Sequence, residues 1–187
     1  MANRNTQGFG LVPAGTLGQT PATSGTGKYK IDAGSATTIF QGGAVSSSAG
    51  YIVEGQGTAD NPMVGVLNGI FFNAATTLKP TFQNHYVQVT PANSEDIDAF
   101  VFDNPQQQYV VATDAAVAQS GFLETYDMNT SAGSTTTGKS SATLDIDDTS
   151  ADAASFRLLR SAEDPENDEN AAFRSVVVVP NLIELQS

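Results

Sequence analysis

Apolar and polar positions alternate along this chain at a period of two, and the helical period of 3.6 is nearly absent. Thr, Val, Ile, Phe and Tyr recur in short runs punctuated by Gly, Pro, Asn or Asp, the pattern of strands separated by turns. The runs predict strands at Tyr29–Asp32, Ala36–Gln41, Tyr51–Glu54, Met63–Asn73 and Thr81–Thr90, then at Ile97–Asp103, Gln108–Thr113, Ser141–Asp147, Ser155–Arg160 and Arg174–Leu185. The cleanest alternation is SATLDID: Ala142, Leu144 and Ile146 share one face, and Thr143, Asp145 and Asp147 the other. Val176–Val179 is apolar on both faces, which places it in mid-sheet or between layers, and Pro180 limits pairing just after it. One short helix is predicted at Asp114–Ser120, with Asp114 as N-cap. The expected fold is all-β: a small barrel or sandwich of about ten short, mainly antiparallel strands.

The pattern lapses over the first 27 residues, which are mainly Gly, Thr, Ala, Asn, Gln and Pro with the single charge of Arg4. Phe9, Leu11, Val12 and Leu17 are too few large apolar groups to offset the ordering entropy of such a segment by themselves. The sequence therefore divides into an extended N-terminal arm, 1–27, and a single β domain, 28–187. The apolar group FGLVP marks the arm as one that orders on a neighbouring subunit. Phe9, Leu11, Val12 and Pro13 are its anchor candidates, and Arg4 is placed to pair with a carboxylate. On this reading, deleting Ala2–Thr26 leaves the melting temperature of the body nearly unchanged.

Charge sharpens the picture. The chain of 187 residues carries a formal charge of −12, divided as +1 over residues 1–90 and −13 over residues 91–187. An acidic surface repels phosphate backbones, so nucleic acid is not an expected partner. The absence of Cys removes disulfides, thiolate metal sites and thiol nucleophiles. The start MANRNTQ lacks a signal-peptide pattern, and the longest aliphatic run, Val176–Val179, is too short to span a membrane.

Several motifs invite chemistry. Gly133–Ser140, GSTTTGKS, fits the phosphate-loop pattern GxxxxGK[ST]. That chemistry needs a buried strand before the loop and a helix after it, whereas a polar loop precedes this one and a period-two strand follows. DIDDT, Asp145–Thr149, matches the DxDx[TV] pattern of haloacid-dehalogenase-like phosphatases, again without the parallel α/β context. Asp145, Asp147, Thr149 and Asp152 loosely follow a calcium loop, but Ser150 and Phe156 stand where Gly and Glu are needed. The acidic loop Ser161–Asn170 reads as a hydrated loop, with a weak divalent-ion site as the alternative. His85 is the only histidine and reads as a packed side chain, with no GxSxG pattern beside it. No catalytic, cofactor-binding or metal-ligating residues are assigned; an enzymatic reading on phosphate esters or nucleotides would have to use Lys139 or Asp145.

Taken in order, NRNTQGFGLVPAGTLGQTPAT, KYKIDAG, ATTIFQGGAV, VGVLNGIFF, KPTFQNHY, DIDAFVFDNPQQQYVV, GSTTTGKSSATLDI and the closing FRLLRSAEDPENDENAAFRSVVVVPNLIEL resemble the capsid cement or decoration proteins of tailed bacteriophages. The resemblance implies a non-enzymatic virion protein on the outer surface of the head. It implies seating between capsomers of the major capsid protein, often as a homotrimer, after assembly in the host cytoplasm. It implies no cofactor, no small-molecule substrate, no nucleic acid and no membrane. The alternative is another β-rich virion part from the tail, a head fibre or an adaptor.

Overall fold

The computed structural model describes residues 3, 5–18, 25–58, 60–130, 133–147, 154–181 and 183–186. The chain is all-β, its strands pair in antiparallel ladders, and three single-turn 3-10 segments are its helical content among these residues. One sheet of five strands has the order β1 (Val12–Thr16), β8 (Gln107–Ala112), β13 (Ser175–Pro180), β12 (Phe156–Ser161) and β9 (Thr125–Tyr126). The second runs β2 (Gly27–Ile31), β7 (Ile97–Phe102), β5 (Gly65–Asn73), β3 (Ala44–Ser48) and β4 (Tyr51–Glu54), with β6 (Pro80–Gln83) paired to the far end of β5. Its end strands β2 and β4 lie side by side, so this sheet curls on itself, yet no ladder joins them among the described residues. A two-stranded ribbon, β10 (Met128–Asn129) with β11 (Thr143–Leu144), completes the set.

Two cores result, and the same strands serve both. Val45, Val64 and Leu67 point into the curled sheet with Ile31, Ile70, Tyr86 and Ile97. Their neighbours Ala44, Met63 and Val66 point the other way, onto Tyr109, Phe156, Leu158, Val176 and Val178 of the five-stranded sheet. Successive side chains of a strand alternate faces, so a strand wedged between two cores must be apolar on both. That accounts for MVGVL. β13 sits at the centre of its sheet, as its valine run predicts, and ends at Pro180.

Local differences from the sequence reading have physical causes. No helix forms at Asp114–Ser120 beyond a single 3-10 turn at Gln119–Gly121. Asp114 instead accepts a hydrogen bond from the Ile146 N–H at 2.9 Å. Ala36–Gln41 contributes only isolated bridges at Ile39 and Gln41, and Ser141–Asp147 pairs over two residues. Thr143, on the polar face of SATLDID, is buried because the N-terminal segment lies over it, Gly8 pressing on Ser141 and Thr143.

That segment is the main correction. Residues 5–16 do not stand off as an arm but form a strap across the body, and β1 is the edge strand of the five-stranded sheet. The Asn3 carboxamide donates to the carbonyls of Asp168, Ala171 and Ala172 and accepts from the Asp168 N–H. Gly10 N–H donates to Ala142 O at 3.1 Å and Leu11 N–H to Gly42 O at 2.8 Å. Leu11 is 1% exposed within the second core. Its few apolar groups, too weak to order a free segment, suffice here because backbone pairing with β8 and a preformed core share the task.

Candidate functional site

Of the anchor candidates, Arg4 lies outside the described residues and Leu11 is committed to the core. Leu11 is therefore not available to a partner. Phe9, Val12 and Pro13 do come together. With Leu11 they form one wall of an open apolar groove of ≈ 410 Å³ whose other side is built from Gln41, Gly42, Leu67, Asn68 and Phe102. Lys139 stands on its rim with an exposed side chain, and among the described residues no carboxylate pairs with it. Val12 is 47% exposed, while Phe9 and Pro13 are half-buried. Pro13 has no N–H, and a bulge lies between Pro13 and Gly15, two devices that blunt an edge strand against further ladder pairing. The groove is thus suited to side chains rather than to an added strand.

A second surface was not singled out from the sequence. On the outer face of the curled sheet, Phe71 of β5 lies opposite Phe82 of β6, with ring centroids 4.7 Å apart. Phe82 reaches Phe100 of β7 at 6.1 Å, and Gly69 stands opposite Phe100 in the ladder. Phe82 is 71% exposed. Phe102 follows two residues after Phe100 on the same face of β7, so the aromatic strip runs to the side of the groove. Beside it Asp98 accepts from Lys28 at 2.7 Å and Lys30 at 2.6 Å. Burial alone would raise the Asp98 pKa, but hydrogen bonds from the two ammonium groups outweigh it and hold the carboxyl below its ordinary range. The signal was present as alternation in GIFF, TFQ and DAFVF, but the sequence does not say which face of these strands turns outward.

The motifs are placed as follows. In Gly133–Ser140 the amides that would cradle a phosphate bond internally or to a neighbouring loop: Ser134 N–H to Lys139 O, Gly138 N–H to Ser134 O and Ser140 N–H to Gln41 O. Thr137 and Lys139 N–H groups face the hydroxyls of Ser134 and Thr137. Asn84 donates to Thr137 O at 2.8 Å, and Gly138 packs directly on Asn84 and His85, where a side chain would collide. His85 stacks on Phe40 with centroids 6.0 Å apart and its Nδ1 lies 2.8 Å from Asn84 Oδ1. Asp145 accepts from the Asp147 N–H at 3.1 Å in a local turn; Asp148, Thr149, Ser150 and Asp152 lie outside the described residues. Among the described residues no cluster of three His, Asp or Glu is placed to hold a metal ion, and no helix is long and apolar enough to cross a membrane.

The acidic loop is fastened from inside. Arg174, 4% exposed, donates to Ser161 Oγ and Val117 O, both at 3.2 Å, and lies 5.2 Å from the centre of the Phe122 ring. Its Nη2 meets Glu169 at 3.3 Å. A guanidinium can hold all of these at once because its donors fan out in one plane. Comparison with family models, with curated proteins and with solved structures returns no match to this chain.

Proposed function

We propose that this chain is a non-enzymatic capsid cement or decoration protein of a tailed bacteriophage, seated on the outer surface of the head between capsomers. The reading starts from the sequence resemblance. The structural observation that supports it best is the aromatic strip Phe71, Phe82 and Phe100, set on a two-core scaffold, in a chain whose residues 91–187 carry −13. Exposed apolar patches of this kind mark interaction surfaces. Phe71 and Phe82 lie in the half of the chain that carries +1, and Asp98 beside Phe100 is held by Lys28 and Lys30, so docking the strip on the major capsid protein leaves most of the carboxylates in water. The acidic half then faces solvent or subunit seams rather than packaged DNA.

A protein bridging capsomers opposes their separation under internal pressure. Each contact is modest, since burying a phenylalanine side chain contributes roughly 1.5–3 kcal/mol before ordering costs. Attachment becomes lasting when several copies or several contacts engage together. The homotrimer that the resemblance implies would supply such avidity.

Heads lacking this protein, before and after expansion, are incubated with the purified chain and pelleted. The expected result is binding to expanded heads, weakened by Phe82→Asp, a change at an exposed side chain. Binding to neither form removes the proposal. Labelling in intact particles that marks the tail or portal instead transfers the chain to another virion part.

A further inference from the structure

We propose that the groove walled by Phe9, Val12, Pro13 and Phe102 receives the Leu123–Glu124 tip of a second copy of this chain, joining copies head to tail. The contact goes beyond the capsid reading and does not depend on it.

Tip and groove occupy opposite ends of one sheet. The strand order places β1, which walls the groove, at one edge and β9, which follows the tip, at the other. At the tip Leu123 is 63% exposed and held at φ 69°, a left-handed backbone that bulky residues avoid. Its N–H donates to Leu158 O at 2.8 Å and its C=O accepts from Arg157 Nη1 at 2.7 Å. The leucine is therefore presented to solvent from a fixed backbone. A strained conformation that exposes an apolar side chain directs attention to recognition.

Charge selects this tip among the leucines that are more than half exposed. Glu124 follows Leu123 and is exposed, and Lys139 stands on the rim of the groove. Leu78, 71% exposed and also left-handed at φ 54°, is followed by Lys79, which would set ammonium against ammonium. Leu185, 56% exposed, follows Glu184, but that carboxylate already accepts the Ser47 N–H at 3.1 Å. Leu123 with Glu124 thus matches an apolar groove with a basic rim.

The arrangement is head to tail because tip and groove lie at opposite edges of the five-stranded sheet, so that one contact uses the tip of one copy and the groove of the next. A tip-to-groove contact leaves one tip and one groove free, so it propagates or closes into a ring. Its small footprint predicts association in roughly the micromolar range rather than the nanomolar.

Sedimentation of the full chain from low to high micromolar concentration tests this. The mass is expected to rise above the 19.4 kDa of one chain. Leu123→Asp and Val12→Asp should each abolish the rise, because one lacks the tip and the other the groove. Mixed, they should form a dimer with one copy of each, since an intact tip and an intact groove remain between them. Should Val12→Asp fail to fold, Lys139→Glu replaces it as the groove variant, and the chain carrying both Lys139→Glu and Glu124→Lys should associate again. A parent that stays monomeric, Leu123→Asp that associates like the parent, or a mixture that stays monomeric each overturns the proposal.

Discussion

Leu11→Ala separates a strap that helps to fold the body from an arm that merely hangs on it. Leu11 is 1% exposed and packs in one core with Tyr109, Val111, Phe156 and Val176. Removing its isobutyl group deletes the transfer free energy of the buried carbons and leaves a cavity, because β8 and β13 are fixed by their own ladders and collapse only partly. Substitutions of this type cost about 2–5 kcal/mol. For a domain of this size each kcal/mol lowers the melting temperature by roughly 2–4 °C. A loss near 3 kcal/mol therefore appears as a fall of roughly 6–12 °C. The control is the next residue: Val12→Ala, at 47% exposure, should change stability by no more than about 0.5 kcal/mol. Thermal unfolding followed by near-UV circular dichroism, with the urea midpoint as a second measure, reads both variants. If Leu11→Ala melts within about two degrees of the parent, the strap is not part of the core and this reasoning fails. Deletion of the whole strap, which also removes β1 and the Asn3 hydrogen bonds, should destabilise more than Leu11→Ala does.

Gly8→Ala places a methyl group against the Ser141 carbonyl and the Thr143 side chain, and backbone cannot give way as a flexible side chain can. A loss of about 1–3 kcal/mol is expected in urea unfolding, and a neutral result would mean the strap lifts there at no cost. Arg174→Met should leave the Val117 carbonyl without its donor and loosen the acidic loop, which Asn3 and Asn167 also hold, costing about 1–3 kcal/mol. Cleavage between Glu163 and Glu169 by a glutamate-specific protease should accelerate, and an unchanged rate would contradict the fastening role. Burial first, then the hydrogen bond to Asp103 and its charge, push the Tyr29 pKa up to about 12. Between about pH 10 and 12 the folded state keeps a proton that the unfolded chain has lost, so this stabilisation is full below pH 10 and disappears as pH rises through 12. Tyr29→Phe should flatten the alkaline fall in stability without abolishing it, because burial also raises Tyr109; an unaltered slope would count against the shift.

What the sequence determined by itself is the class of the fold and the identity of most strands. Period-two alternation, turn residues and a valine run ending at Pro180 act within a few residues of chain, and local rules suffice to read them. Tyr51–Glu54 forms a strand over the predicted span, and Val176–Val179 lies mid-sheet. Tertiary structure decided the rest. Leu11 becomes core rather than anchor because a β8 edge and a waiting apolar surface come from residues about a hundred positions away. Asp114 reads locally as a helix cap, yet Ile146 of a distant loop supplies its donor. The groove and the aromatic strip were legible only as residue types. Phe9, Val12 and Pro13 meet Phe102, and Phe71 meets Phe82 and Phe100, through pairings that alternation cannot specify. A strand pattern fixes that two faces differ; which face turns to water depends on what the completed fold packs against the other.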